Sequence, residues 1–190
     1  MTKLGFKKLY NHTTLSLNMK IKATLISERI TSNTAEAQSL FAKSRFGERL
    51  GEKILYSLPE ALFLTQDKKM EIYNHQNKKL TQKEILNKFQ RIDKKFKTKY
   101  LVFKDLRQKG YIVKSALKFG AEFRVYEKGK KIDKTHSKWI LFPVSENSIM
   151  TWQDFSAKNR VAHSTKKNLL IAIADEEGDI SYYEVKWTRP

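Results

Sequence analysis

Apolar positions at Ile85, Leu86 and Phe89 gather on one face of the segment after Thr81, the stripe with which a surface helix meets a core. Thr81 and Glu84 have the capping-box spacing that starts such a helix, and the spacing recurs at Asn33/Glu36 and Ser57/Glu60. The first of these predicts a helix over 35–43, closed by Phe46-Gly47. The second predicts a helix over about 58–65 with Pro59 in its first turn, where a missing N–H does no harm. Ahead of them, 21–30 and 53–56 read as short strands. The first half is therefore α/β, around a small core.

The second half has a different rhythm. Five strand-like runs occupy 111–114, 122–126, 138–142, 169–174 and 180–187. Between the third and fourth, Thr151 and Asp154 open a helix that reaches about 162, and the turn at 175–179 joins the last two runs as a hairpin. The halves meet in a basic stretch with Arg91, Lys94, Lys95, Lys97 and Lys99 against Asp93 alone. A second helix, over 99–109, leaves this stretch and ends at Gly110. The expected fold is α/β (α+β): a small N-terminal α/β domain over 1–97, with 1–20 as an extension, and a C-terminal mixed-sheet domain flanked by helices over 98–190.

Composition narrows the function. The 190 residues suffice for a proper core, and 40% hydrophobic content is that of an ordinary globular protein. A formal net charge of +18 is not ordinary. It draws polyanions through counterion release, with nucleic acid the leading partner and an anionic membrane surface the runner-up. No apolar run approaches the roughly 20 residues of a membrane span. The N-terminus has lysines but no apolar signal core, so the expected location is the cytoplasm. With no cysteine there is no disulfide, no zinc finger and no thiol nucleophile.

Tyr126, His136 and Lys167 are the residues to which chemistry attaches. A phenol, an imidazole and an ammonium suffice to cut RNA without a metal: the ribose 2′-hydroxyl must lose a proton, the departing 5′-oxygen must gain one, and the charged phosphorane between them needs a fixed cation. Taken singly, each has an ordinary reading: a strand-end aromatic, a polar residue opening a strand, one lysine among many. His163 sits in helix-ending sequence and reads as a packing or hydrogen-bonding residue. Asp175, Glu176, Glu177 and Asp179 crowd four acids into five residues of a basic chain. They are either a solvated turn or a surface complementary to basic patches on a second copy. The strand at 182–187 has the aromatics and β-branching of a sheet edge. A metal site built from carboxylates is not expected, because the only dense acidic cluster lies in that turn.

Several segments resemble the archaeal tRNA-splicing endonucleases: YLVFKDLRQKGYIVK at 100–114, GAEFRVY at 120–126, HSKW at 136–139, RVAHS at 160–164 and ADEEGD at 174–179. LFAKSRFG at 40–47 and LPEAL at 58–62 extend the resemblance more loosely into the first half. It implies an endoribonuclease without metal or cofactor that excises introns from precursor tRNA at bulge–helix–bulge elements, leaving 2′,3′-cyclic phosphate and 5′-hydroxyl ends. The family tyrosine falls on Tyr126 as general base, its histidine on His136 as general acid, and its lysine on Lys167 as the transition-state cation. Arg160 matches an arginine that stacks on a bulged base. Thr165-Lys166-Lys167 stands where the family often has Val-Arg-Lys, so Lys166 would contact phosphate without arginine's fork. The acidic turn at 175–179 would plug a basic cleft of a neighbouring subunit. The implied particle is a homotetramer or, alternatively, a heterotetramer with a paralogous structural subunit, in which this chain binds precursor tRNA and cleaves only with its partner.

Overall fold

The computed structural model describes residues 20–129 and 135–188. The extension expected at 1–20 lies, but for its last residue, outside them. In the first half, β1 (Ile21–Ile26) and β2 (Arg29–Ser32) form a hairpin, followed by α1 (Ala35–Ser44), β3 (Glu48–Leu50), β4 (Lys53–Tyr56), α2 (Leu58–Gln66), β5 (Met70–Tyr73) and α3 (Gln82–Ile92). The sheet order is β3-β4-β2-β1-β5, with β5 parallel to β1 and the other pairs antiparallel. The second half runs α4 (Phe96–Gln108), β6 (Ile112–Ser115), β7 (Phe123–Tyr126), β8 (Trp139–Ser145), α5 (Trp152–Ser164), β9 (Asn168–Ala174) and β10 (Ile180–Val185). Its sheet order is β10-β9-β8-β7-β6, and α5 is the crossover between the parallel strands β8 and β9. The molecule is α+β, with two mixed sheets. β10 is an edge strand, as the aromatic pattern predicted.

Where the elements depart from expectation, local chemistry explains the difference. α1 starts at Ala35 as expected, but its cap is Thr34 rather than Asn33: the Thr34 hydroxyl accepts from the Ala37 amide at 3.3 Å. The helix closes at Arg45, in the left-handed region at φ 59°, ahead of Gly47. Leu86 is 38% exposed while Ile85 and Phe89 are fully buried, which narrows the α3 stripe. α4 begins at Phe96, so the boundary expected at 97/98 falls in its first turn. The short strands β3 and β5 were not foreseen.

One hydrophobic cluster runs from Ile21 in β1 to Ala172 in β9 and so spans both halves. Its spine is a ladder of rings: Phe89 meets Phe96 at 5.3 Å, Phe63 meets Phe103 at 6.0 Å, and Phe103 meets Phe123 at 6.0 Å. Burial of each such ring contributes about 1.5–3 kcal/mol. A polar weld lies beside it. The Glu60 carboxylate accepts from the amides of Ser57 at 3.0 Å and Gly47 at 2.9 Å. The Lys114 ammonium of β6 reaches across to the Gly47 carbonyl and lies 3.3 Å from Glu60. Gly47 is required here, since a Cβ would sit 2.3 Å from Ile54 Cγ2. Arg107 of α4 lies over the Phe46 ring at 3.9 Å and donates to the Ser44 carbonyl at 3.1 Å. A smaller cluster on the other face of the second sheet places Ile140, Phe142, Leu169 and Ile171 beneath α5, through Ala162, Phe155 and Val161.

Candidate active site

Strand register brings Tyr126 and Lys167 to one end and one face of the second sheet. Val125 pairs with Trp139 across β7 and β8, and Trp139 pairs with Asn168 across β8 and β9. Tyr126 lies one residue past this rung, and Lys167 one residue before it. Two inter-strand spacings, roughly 10 Å, separate their backbones. Alternation along β7 puts Val125 into the large core and Tyr126 on the opposite face; Lys167 shares the face of Leu169, under α5. The Tyr126 ring is 6% exposed. His136 approaches the same end from the segment leading into β8, with its side chain exposed. That segment is anchored by the buried Ser137 and by the Lys138 amide, which donates to the Val125 carbonyl at 3.0 Å.

Lys167 is placed by the end of α5. The Lys166 amide donates to the His163 carbonyl at 2.9 Å, and the Lys167 amide to the Ala162 carbonyl at 2.9 Å. Lys166 adopts φ 55°. These are the paired bonds and the left-handed residue of a Schellman closure, with lysine where glycine is usual. The closure turns the chain straight into β9 and delivers Lys167 at its mouth. The Lys167 ammonium donates to the Thr165 carbonyl at 3.1 Å. Partial burial, and secondly the nearby Arg124 guanidinium, hold its pKa below that of an ordinary lysine. Arg124 was not expected at the site. It shares the β7 face of Tyr126 and is tied to Glu48 of the first half at 3.2 Å, while its Nε is buried with no partner among the described residues.

A cavity of about 270 Å³ opens beside Lys167, lined by Asn159, His163, Lys166, Lys167, Asn168, Lys186 and Trp187. His163 is exposed and its ring meets that of Trp187 with centroids 4.6 Å apart. The packing expected of His163 is thus a ring contact in this cavity rather than in a core, and neither Tyr126 nor His136 lines the cavity. Lys166 lines this cavity as well. Arg160 lies about one turn from the end of α5 with its side chain exposed, outside the lining. The turn at 175–179 stands away from these groups and braces itself: Asp175 Oδ1 accepts from the amides of Gly178 at 2.7 Å and Asp179 at 2.8 Å, and Glu146 accepts from the Glu176 amide at 2.7 Å. Glu176, Glu177 and Asp179 are exposed. Among the described residues, no group of three His, Asp or Glu side chains is arranged to hold a metal ion, and no helix is long and apolar enough to cross a membrane.

Two family models match the chain: the tRNA intron endonuclease catalytic C-terminal domain over residues 96–182, and the tRNA intron endonuclease N-terminal domain over 21–86. The chain belongs to the tRNA intron endonuclease family. A tRNA-splicing endonuclease of Thermococcus gammatolerans is 42% identical over 166 residues, covering 87% of this chain and 96% of the relative. One from Nanoarchaeum equitans is 43% identical over 139 residues, 70% of this chain and 88% of that one. One from Methanothermobacter thermautotrophicus is 38% identical over 173 residues, 90% and 100% of the respective chains. Tyr126, His136 and Lys167 all fall within the matched catalytic domain of the tRNA intron endonucleases.

Proposed function

We propose that this tRNA intron endonuclease excises introns from precursor tRNA by metal-independent transesterification at bulge–helix–bulge elements. The observation that supports this mechanism is the strand register that puts the backbones of Tyr126 and Lys167 at one end of β7 and β9, with His136 in the segment that enters β8 there. In its phenolate form Tyr126 takes the proton of the ribose 2′-hydroxyl as that oxygen attacks the adjacent phosphorus. Protonated His136 gives its proton to the 5′-oxygen as the P–O bond breaks. The products are a 2′,3′-cyclic phosphate and a 5′-hydroxyl. Lys167, fixed by the α5 closure, faces the charge that builds on the non-bridging oxygens. Lys166 and Lys186 offer further ammonium groups to the flanking backbone, and the exposed Arg160 offers a planar cation to a bulged base. Shape rather than sequence sets the substrate, because A-form RNA hides its base edges in a deep groove.

Two cuts at fixed separation call for two sites at fixed separation, hence self-association. The exposed acidic turn at 175–179 and the open edge of β10 are the surfaces for it, in a homotetramer. The alternative is a heterotetramer in which a paralogous chain completes the particle.

His136→Ala should slow cleavage of precursor tRNA by about 10²–10⁴-fold, the usual worth of a general acid. Excess EDTA should leave the wild-type rate untouched. Wild-type cleavage by His136→Ala would overturn the assignment of the acid.

A further inference from the structure

A second cavity, of about 240 Å³, lies on the face of the same sheet turned towards α4, and the mechanism does not use it. Its walls are the rings of Tyr111, Trp139 and Tyr182; Leu106, Val125 and Leu170 supply an aliphatic floor, and Lys109 sits at the side. Tyr111 and Trp139 meet edge to face at 6.1 Å and 77°. The Tyr182 hydroxyl donates to Asp105 at 2.7 Å, which fixes the third ring.

Two features distinguish this cavity from a packing defect. The indole Nε1 of Trp139 is buried and has no hydrogen-bond partner among the described residues. A buried donor left unpaired costs about 1–3 kcal/mol, so a natural structure keeps one where something else supplies the acceptor. Each ring also carries an ammonium over it: Lys128 on Tyr111 at 4.6 Å, Lys138 on Trp139 at 4.7 Å and Lys109 on Tyr182 at 5.2 Å. Asp105 and Glu127 neutralise Lys109 and Lys138, at 2.7 Å and 2.8 Å. Among the described residues Lys128 has no such carboxylate, so the rim keeps a net positive charge.

We infer that this cavity is a seat for a single unstacked RNA base flanking the cleavage site. The inference rests on the reading of the chain as an RNA-cutting enzyme and adds a contact to it. A base is flat and apolar on its faces and carries acceptors at its edge, so it can stack on one of these rings, meet the others edge-on and offer an acceptor to the indole N–H. An aliphatic or phenyl side chain would fill the space and leave that donor unpaired. The volume lies below the roughly 300–1,000 Å³ of sites that enclose drug-sized molecules, which suits one base with its sugar and phosphate outside, near Lys128. Position agrees: Trp139 is on the rung adjacent to Tyr126 and Lys167, so a strand leaving the scissile phosphate reaches this seat by rounding the end of the sheet.

The test uses the full-length protein and a short two-bulge RNA duplex, with 2-aminopurine placed at each bulged position in turn. Stacking on a ring quenches the probe. One position should be quenched in wild type and recover in Trp139→Phe, which keeps the ring packing and removes the N–H. Lys128→Ala, an exposed change that leaves the core alone, should raise KM about tenfold with most of the loss in KM rather than kcat. Unchanged quenching and unchanged KM in both variants would overturn the seat. So would variants whose main effect is a loss of native mass, since the cavity would then be a contact between chains. If His136→Ala cuts normally while the probe still reports on Trp139, the base seat stands and the assigned cleavage mechanism alone falls.

Discussion

Lys166 and Lys167 are neighbours with separable roles. A non-glycine residue in the left-handed region costs roughly 1–2 kcal/mol. Lys166→Gly should therefore stabilise the fold by about 1 kcal/mol in urea melts while weakening precursor tRNA binding, because the strain goes and the ammonium goes with it. A variant that gained stability with undiminished RNA affinity would show that Lys166 contributes nothing to the substrate. For Lys167 the sign follows from its depressed pKa. It is charged below that value and loses its proton as pH rises through it, before an ordinary lysine would. The alkaline fall of the single-turnover rate should lie on the acid side of the usual lysine range. It should move upward in Arg124→Gln, where one of the two causes of the depression is removed; a downward move would count against Lys167 as the essential cation. Lys167 is a candidate in the sequence only through the family resemblance, three residues beyond the RVAHS segment. Arg124 and the pairing of His163 with Trp187 were not, because they depend on strand register and on where the chain crosses after Val185, which no local pattern encodes.

At the scale of elements, the second sheet was the more readable. Its strands are apolar runs of four to seven residues bounded by turns, and α5 carries a capping box in which the Thr151 hydroxyl accepts from the Asp154 amide at 3.1 Å. β3 and β5 are only three and four residues long, and β3 carries two charges in its three residues, so pairing with neighbours, not a run of apolar residues, makes them strands. The polar weld between α2, β6 and the Gly47 turn could not be read either. Lys114 looked like one lysine among many, yet it is 6% exposed and paired with Glu60, itself 4% exposed. Burial pulls the Lys114 pKa down and Glu60 pulls it partly back. Removing one partner of a buried pair strands the other charge, at a cost of about 3–5 kcal/mol. Lys114→Ala should lose stability of that order by denaturant titration, whereas exposed lysines such as Lys69, paired with Asp67 at 3.2 Å, should change it little. A loss below 1 kcal/mol would mean that the weld is hydrated in solution.

For the whole molecule, the excess of basic charge predicts that the logarithm of precursor tRNA affinity falls linearly with the logarithm of salt, its slope counting the phosphates neutralised. Neutralising the exposed Glu176, Glu177 and Asp179 together should dissociate the proposed tetramer in sedimentation, without lowering the stability of the chain. A particle of unchanged mass would remove that turn from the interface. Self-association itself is a property that a single chain's register does not display. The continuous cluster from β1 to β9 has its own result. Although the chain reads as two domains, the phenylalanine ladder through α4 belongs to both, so neither half closes its apolar surface alone. Exchanging one half for that of a homologue would then graft mismatched rings across a shared seam, and successful chimeras of this enzyme should be those that carry α4 together with the faces packed on both its sides.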